Sequence, residues 1–115
     1  MISLYEFMAS EKYINEDDFL RKKALCADGF SVSIQASAYH YCKPREFSLT
    51  QRYESLELGY PSEAEPLIMP FADDPEDLTG TVYGFVPWEL VERVLEKHGG
   101  IVGVSENGTS ELGKD

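Results

Sequence analysis

The most reactive side chains of this chain stand close together, at His40 and Cys42 with Tyr41 between them. A protonated imidazole beside a thiol lowers the thiol pKa and produces the thiolate that acts as a nucleophile. Adjacent positions do not by themselves form such a pair, and the sequence offers no oxyanion hole or orienting carboxylate. The pattern is more typical of a packed thiol and a hydrogen-bonded histidine, so we expect a protein that is not an enzyme.

A metal site is the second chemistry that these residue types allow. Cys26, His40, Cys42 and His98 together contain a Cys₂His₂ set. Structural zinc ligands usually come as close pairs such as C-x₂-C or H-x₃-H, whereas these four are scattered. We therefore expect neither a metal nor a cofactor. Both cysteines are expected to be reduced and buried, and the sequence leaves a disulfide open.

A dense run of acids occupies residues 73–77, where Pro75 is the only position without a carboxylate. Calcium loops alternate their ligands and need a glycine at the sharp turn, which this run lacks. The run is either a solvated loop or a contact surface for a basic partner. The candidate partner-binding residues are Asp73, Asp74, Glu76 and Asp77, with Glu63 and Glu65 in support.

The charge balance favours the contact surface and indicates the kind of partner. The formal net charge is −11, and no Lys or Arg occurs between Arg52 and Arg93. Such a chain repels nucleic acid and anionic membranes and is steered toward basic surfaces. We expect a partner protein or protein–RNA complex with a basic surface, and we leave the oligomeric state open. A small positive patch is expected from Arg21, Lys22, Lys23, Lys43 and Arg45.

Two helices are predicted in the N-terminal quarter. Ser3 and Glu6 form a capping box, which predicts a helix from residue 4 to about 12. Asn15 is a second good N-cap and is followed by acids in the first turn, which predicts another helix that ends near Gly29.

Three strands are predicted to follow these helices. Residues 30–38 alternate between apolar and polar side chains, which is the clearest strand pattern in the chain. The polar side of this strand is either wet or a hydrogen-bonding surface for a partner. Residues 52–60 and 81–86 are the other candidates, and residues 61–80 read as a mostly exposed loop rich in Pro and acids.

The C-terminal part is predicted to hold one more helix. Pro87 suits the first position of a helix, and His98 with the two following glycines ends it. Residues 101–104 are expected to pair as an edge strand, and residues 105–115 to form a flexible tail. We predict a single α+β domain over residues 1–104, with about three antiparallel strands and the helices packed on one face. A signal segment and a membrane-spanning run are both missing, so we expect the cytoplasm.

Five short stretches carry a resemblance, namely VSIQAS at 32–37, HYCKPR at 40–45, LELGYPS at 56–62, TVYGFVP at 81–87 and HGGI at 98–101. They contain 30 of the 115 residues and are spread over residues 32–101. They resemble stretches of small uncharacterised proteins of bacteriophages and prophages. The resemblance carries no catalytic residues over. It implies a phage accessory protein, and by analogy an inhibitor of host defence such as an anti-CRISPR protein, many of which look like nucleic-acid mimics.

The leading hypothesis is therefore a phage-encoded acidic inhibitor that occupies a basic surface of a host nucleic-acid-handling complex. The alternative is a phage structural or regulatory adaptor that binds another protein through the polar face of its sheet. The two hypotheses differ in salt dependence, because surface charges are screened within about 10 Å at 0.1 M salt.

Overall fold

A five-stranded antiparallel sheet forms the centre of the molecule in the computed structural model, which describes residues 1–50 and 52–105. The strands are β1 (Lys23–Cys26), β2 (Ser31–Gln35), β3 (Ser55–Gly59), β4 (Val82–Pro87) and β5 (Ile101–Ser105). The helices are α1 (Leu4–Ala9), α2 (Trp88–Lys97) and the 3₁₀ helices Glu11–Tyr13 and Pro66–Phe71. The sheet order is β4-β3-β2-β1-β5. The α+β class is confirmed, but the expected number of about three strands is wrong.

The first helix begins as predicted and ends earlier. The Ser3 hydroxyl accepts a hydrogen bond from the backbone N–H of Glu6 at 3.0 Å, and this caps α1. The helix stops at Ala9, and Ser10 caps the short 3₁₀ helix that follows. Ser10 accepts from the N–H of Lys12 at 3.2 Å, so the chain turns there instead of continuing the helix to residue 12.

The second predicted helix does not exist, and its place is taken by a tight turn and β1. The side chain of Asn15 accepts from the N–H of Asp17, and that of Asp18 accepts from the N–H of Leu20. Short polar side chains that bond to nearby backbone N–H groups favour turns as readily as helix caps. The turn closes with an Asn15 N–H to Leu20 carbonyl bond of 2.8 Å.

Strand β1 owes its position to pairing with both neighbours. It runs antiparallel to β2 and to β5, with Ala24 opposite Val32 on one side and opposite Val104 on the other. Ala24 and Cys26 are buried, whereas Lys23 and Leu25 are half-buried. The predicted edge strand β5 is confirmed and extends to Ser105, which the sequence had assigned to the tail. The remainder of that predicted tail, residues 106–115, lies outside the described residues.

The core is one cluster of buried side chains from the sheet, α1 and α2. Ile34 pairs with Leu58 across β2 and β3, and Leu58 pairs with Tyr83 across β3 and β4, and all three are buried. Helix α2 packs against β3, β4 and the 3₁₀ helix Pro66–Phe71. This 3₁₀ helix lies within the segment that the sequence predicted to be mostly exposed loop, and it buries Ile68.

The end of α2 agrees with the prediction from the glycine pair. Gly99 and Gly100 have φ angles of 93° and 89°, a region that is strained for residues with a Cβ. The N–H of Gly100 donates to the carbonyl of Leu95 at 2.8 Å, which closes the helix and turns the chain toward β5. Within the described residues, no helix has the length and apolar character that a bilayer crossing requires.

Candidate functional site

The acidic loop, residues 73–77, lies between the 3₁₀ helix Pro66–Phe71 and β4, and its four acidic residues are all exposed. The N–H of Asp73 donates to the carbonyl of Val82 at 2.9 Å, and the N–H of Asp74 donates to the hydroxyl of Thr81 at 3.0 Å. The carboxylate of Asp74 in turn accepts from the N–H of Glu76 at 3.1 Å. The loop is therefore held to the start of β4 by its own backbone.

The ionic surroundings of the acidic loop follow from the ion pairs of the described residues. Within the described part of the chain, none of the four acids takes part in an ion pair. Charges of one sign that lie on a short anchored loop raise the local potential and attract the opposite charge. The contact surface for a basic partner that the sequence predicts at this loop stays a prediction.

Glu63 and Glu65 have different surroundings although they are neighbours in sequence. Glu63 is exposed, on a turn whose residue Tyr60 donates its N–H to the carbonyl of Thr81 at 3.0 Å. Thr81 also anchors Asp74, so the turn and the acidic loop meet at one residue. Glu65 is only 1% exposed. It is therefore not available as a surface carboxylate, which corrects its assignment to the contact surface.

Glu65 belongs instead to a buried charged cluster, which we call the His98 cluster. One carboxylate oxygen of Glu65 lies 2.6 Å from Nε2 of His98, and the other lies 2.8 Å from Nζ of Lys97. Nδ1 of His98 lies 2.7 Å from a carboxylate oxygen of Asp28. The imidazole also stacks on the Phe30 ring at a centroid distance of 3.9 Å.

The imidazole of the His98 cluster lies between two carboxylates, which favour its protonated form. Burial alone would lower the pKa of His98, but the hydrogen bonds to Glu65 and Asp28 raise it above its usual value. The pKa of Glu65 is lowered overall, because the bonds from Lys97, Leu67 and His98 outweigh its burial. A hydrogen bond from the Phe30 N–H lowers the pKa of Asp28. The cluster joins the β1–β2 turn, the 3₁₀ helix Pro66–Phe71 and the end of α2. Its role is therefore to hold these three elements together.

The His40 and Cys42 side chains do not pair with each other. Nδ1 of His40 lies 2.7 Å from the Ser37 hydroxyl, and the Cys42 thiol donates to the carbonyls of Ser37 and Pro44. Burial raises the pKa of the Cys42 thiol, and burial together with Arg21 and Arg45 lowers the pKa of His40. An un-ionised thiol near a neutral imidazole is the opposite of an activated nucleophile.

The Cys₂His₂ set that could hold a metal includes both cysteines of the chain. Cys26 and Cys42 are both free and buried, and burial raises the pKa of Cys26 to about 11. Across residues 1–50 and 52–105, no group of three or more His, Cys, Asp or Glu side chains is placed to hold a metal ion.

Arg21 is buried rather than part of a positive surface patch. Its side chain is almost fully covered, and its guanidinium donates to the carbonyls of Met8 at 2.9 Å and Ala36 at 3.2 Å. It also lies 5.0 Å from the centroid of the Phe47 ring. The predicted basic patch therefore loses its first member, because the guanidinium serves to hold three chain segments together.

The polar face of β2 is closed by the segment around Arg21. Ser33 and Gln35 are each 3% exposed. The side-chain amide of Gln35 donates to the carbonyl of Arg21 at 2.7 Å and accepts from its N–H at 3.0 Å. This face is thus covered from within the chain at the two positions that the adaptor hypothesis most needs to be open.

An aromatic depression, which the sequence does not predict, lies beside the acidic loop. It measures about 320 Å³ and is lined by Tyr41, Phe71, Asp73, Val82 and Phe85, among others. Tyr41 and Phe85 are about half exposed, with ring centroids 5.9 Å apart. Abundant tyrosines were visible in the sequence, but the outward position of Phe85 depends on an irregularity in the β3–β4 pairing.

A second and larger cleft, of about 650 Å³, lies next to Phe19. Phe19 has a φ of 61° and is 74% exposed, and Phe47 and Leu49 line the same cleft. The rim carries both Glu11 and Lys12, so it shows no preference for one sign of charge.

No protein-family model, no curated protein and no solved structure matches this chain. The assignment of site residues therefore rests on the geometry described above, and the resemblance to phage accessory proteins stays a prediction.

Proposed function

We propose that this protein binds a basic macromolecular surface through the acidic loop, with Glu63 at the margin of the contact. The observation that supports this proposal is that Asp73, Asp74, Glu76 and Asp77 are exposed together on one anchored turn and form no ion pair with residues 1–50 or 52–105. A contact loop that is already ordered loses less conformational entropy on binding than a free segment does. Complementary charge then accelerates the encounter and selects against acidic partners.

The partner class follows from the charge of the whole chain. A net charge of −11 disfavours direct contact with nucleic acid or anionic membranes. The proposed partner is a protein or protein–RNA complex whose basic groove normally holds a nucleic acid. We propose that the protein occupies this groove in the bacterial cytoplasm without catalysis or a cofactor. Its role as a phage inhibitor of the anti-CRISPR type rests on the sequence resemblance alone.

A comparison of two variants with equal charge tests this proposal. The loop variant carries Asp73→Asn, Asp74→Asn, Glu76→Gln and Asp77→Asn, which keep the side-chain oxygen that caps the Glu76 N–H. The control variant carries Glu6→Gln, Glu11→Gln, Glu89→Gln and Glu96→Gln, all exposed and outside the loop. Each variant removes four negative charges, so a difference between them reports the position of the charges.

The measurement is capture from bacterial lysate at low and at high salt, read by mass spectrometry. We expect the wild type and the control variant to retain a nucleic-acid-handling complex at low salt, and the loop variant to lose it. We also expect 1 M salt to abolish capture, because screening then acts within about 3 Å. Equal capture by the loop variant, or capture that persists at high salt, would contradict the acidic-loop mechanism.

A further inference from the structure

The aromatic depression adjoins the acidic loop, and both polar and apolar atoms line it. The N–H of Phe85 donates to the carbonyl of Tyr41 at 2.9 Å, which fixes the two residues against each other. Tyr83 and Val86 are buried, whereas Phe85, which lies between them in the sequence, is about half exposed. Asp73 contributes to the lining and is the first residue of the acidic loop. Aromatic residues and an aspartate therefore line one space.

These surroundings favour a cation with an apolar stem. The face of an aromatic ring attracts a cation, and Arg is found there more often than Lys because its planar guanidinium stacks on the ring. A guanidinium can also donate to a carboxylate while it stacks. The molecule already contains one contact of this kind on the Tyr41 ring, since the guanidinium of Arg45 lies 5.6 Å from its centroid.

We propose that the depression between Tyr41, Phe85 and Asp73 receives an arginine side chain of the protein partner. The inference rests on the proposed function and adds the residue type that the contact recognises. The arginine stacks on Phe85 and donates to the Asp73 carboxylate, while basic residues around it face Asp74, Glu76 and Asp77. Charge complementarity selects this occupant, because an apolar side chain would leave the acidic rim without a partner and an acidic one would be repelled.

The position of Arg45 gives the proposal a directional test. Its guanidinium lies over Tyr41 and carries the same charge as the incoming side chain. Like charges in a shared site repel each other. Arg45→Gln is therefore expected to strengthen the binding of an arginine probe, and by more than the removal of a Lys or Arg that lies away from the depression.

The probe is a blocked Gly-Arg-Gly peptide, with the matched Gly-citrulline-Gly peptide as the neutral control of equal shape. Titration of the full chain is followed by NMR. We expect the arginine peptide to shift the signals of Tyr41, Phe85 and Asp73. The affinity of the citrulline peptide should be lower by a factor of about five or more. Phe85→Ala is expected to weaken the arginine peptide by about fivefold. Phe19→Ala removes an exposed aromatic on another part of the molecule and serves as the control variant.

The outcomes separate this inference from the proposed function. Equal shifts from the two peptides, or unchanged arginine binding in Phe85→Ala, would overturn the arginine site. If the loop variant still loses capture from lysate in that case, the proposed function stands without it. Weaker binding in Phe85→Ala together with tighter binding in Arg45→Gln would support the site.

Discussion

The His98 cluster and the acidic loop contain similar carboxylates in opposite surroundings. Glu65 is 1% exposed and bonds to His98 and Lys97 within 2.8 Å. Asp73 and its neighbours on the loop are exposed and have no cation within the described part of the chain. The cluster joins three parts of the fold. The loop is held by its backbone, and its carboxylates form no ion pair within the described part of the chain. A carboxylate stabilises this fold where it has a buried partner, and it is available for binding where it has none.

The largest effect is expected from removing the buried carboxylate. Glu65→Ala leaves the imidazolium of His98 without its buried partner and the N–H of Leu67 without its cap. Breaking a buried ion pair from one side costs about 3–5 kcal/mol. We expect the lower end of this range, about 3 kcal/mol, because Lys97 is partly exposed and Asp28 still binds the ring. Urea denaturation at pH 6 measures the loss in the free energy of unfolding.

Glu63→Ala is the matched control for this measurement, because Glu63 is exposed two positions away. Exposed substitutions of this kind usually change stability by less than about 0.5 kcal/mol. A loss below about 1 kcal/mol in Glu65→Ala would show that the buried and exposed carboxylates are equivalent, and the contrast between the regions would fail.

The second prediction is a stability maximum in mildly acidic solution. The raised pKa of His98 contributes stability that is complete below its unfolded pKa of about 6.5 and is lost as pH rises through the folded pKa. The lowered pKa values of Glu65 and Asp28 contribute stability above about pH 4.5 that is lost as pH falls through their folded values. The His98 cluster therefore contributes most between about pH 4.5 and 6.5.

His40 supplies a comparison of opposite sign. Its pKa is lowered by burial, so the neutral form is favoured in the fold and its contribution falls as pH drops below about 6.5. His98→Gln should abolish the loss of stability above pH 6.5, whereas His40→Gln should leave that loss in place and reduce the loss below pH 6.5. The free energy of unfolding, measured by urea denaturation between pH 4 and 9, tests both. An unchanged alkaline slope in His98→Gln would overturn the assignment of a protonated imidazole.

The contrast also explains which parts of the fold the sequence predicts. Strand β2 and helix α2 follow from local patterns, namely the alternation around Val32 and Ile34 and the stop at Gly99. Strand β1 does not, because Asn15 and Asp18 cap a turn with the same side chains that would cap a helix. What decides between them is pairing with β5, a strand from the far end of the chain.

The same limit applies to the candidate site. The acidic loop was predicted from the density of its acids, since several carboxylates within a few positions cannot all find buried partners. The burial of Glu65 is not predicted by the sequence, because the cluster that holds it includes His98 and Asp28 from distant parts of the chain. The outward position of Phe85 likewise depends on how β4 pairs with β3. Sequence patterns locate groups that act alone, and groups that act through distant partners need the fold.

The smallest effect on stability is expected from the loop variant with Asp73→Asn, Asp74→Asn, Glu76→Gln and Asp77→Asn. These carboxylates have no ion pair to lose in the described part of the chain, and the amides keep the backbone cap from Asp74. Removing like charges that lie close together relieves repulsion, so we expect the free energy of unfolding to stay within about 0.5 kcal/mol or to rise slightly. Urea denaturation at pH 7 and low salt measures it. If the variant instead lost more than about 1 kcal/mol, the loop would be a structural element like the His98 cluster, and its lost binding would report partial unfolding. A stable variant that no longer binds would show that these carboxylates serve to bind a partner and do not stabilise the fold.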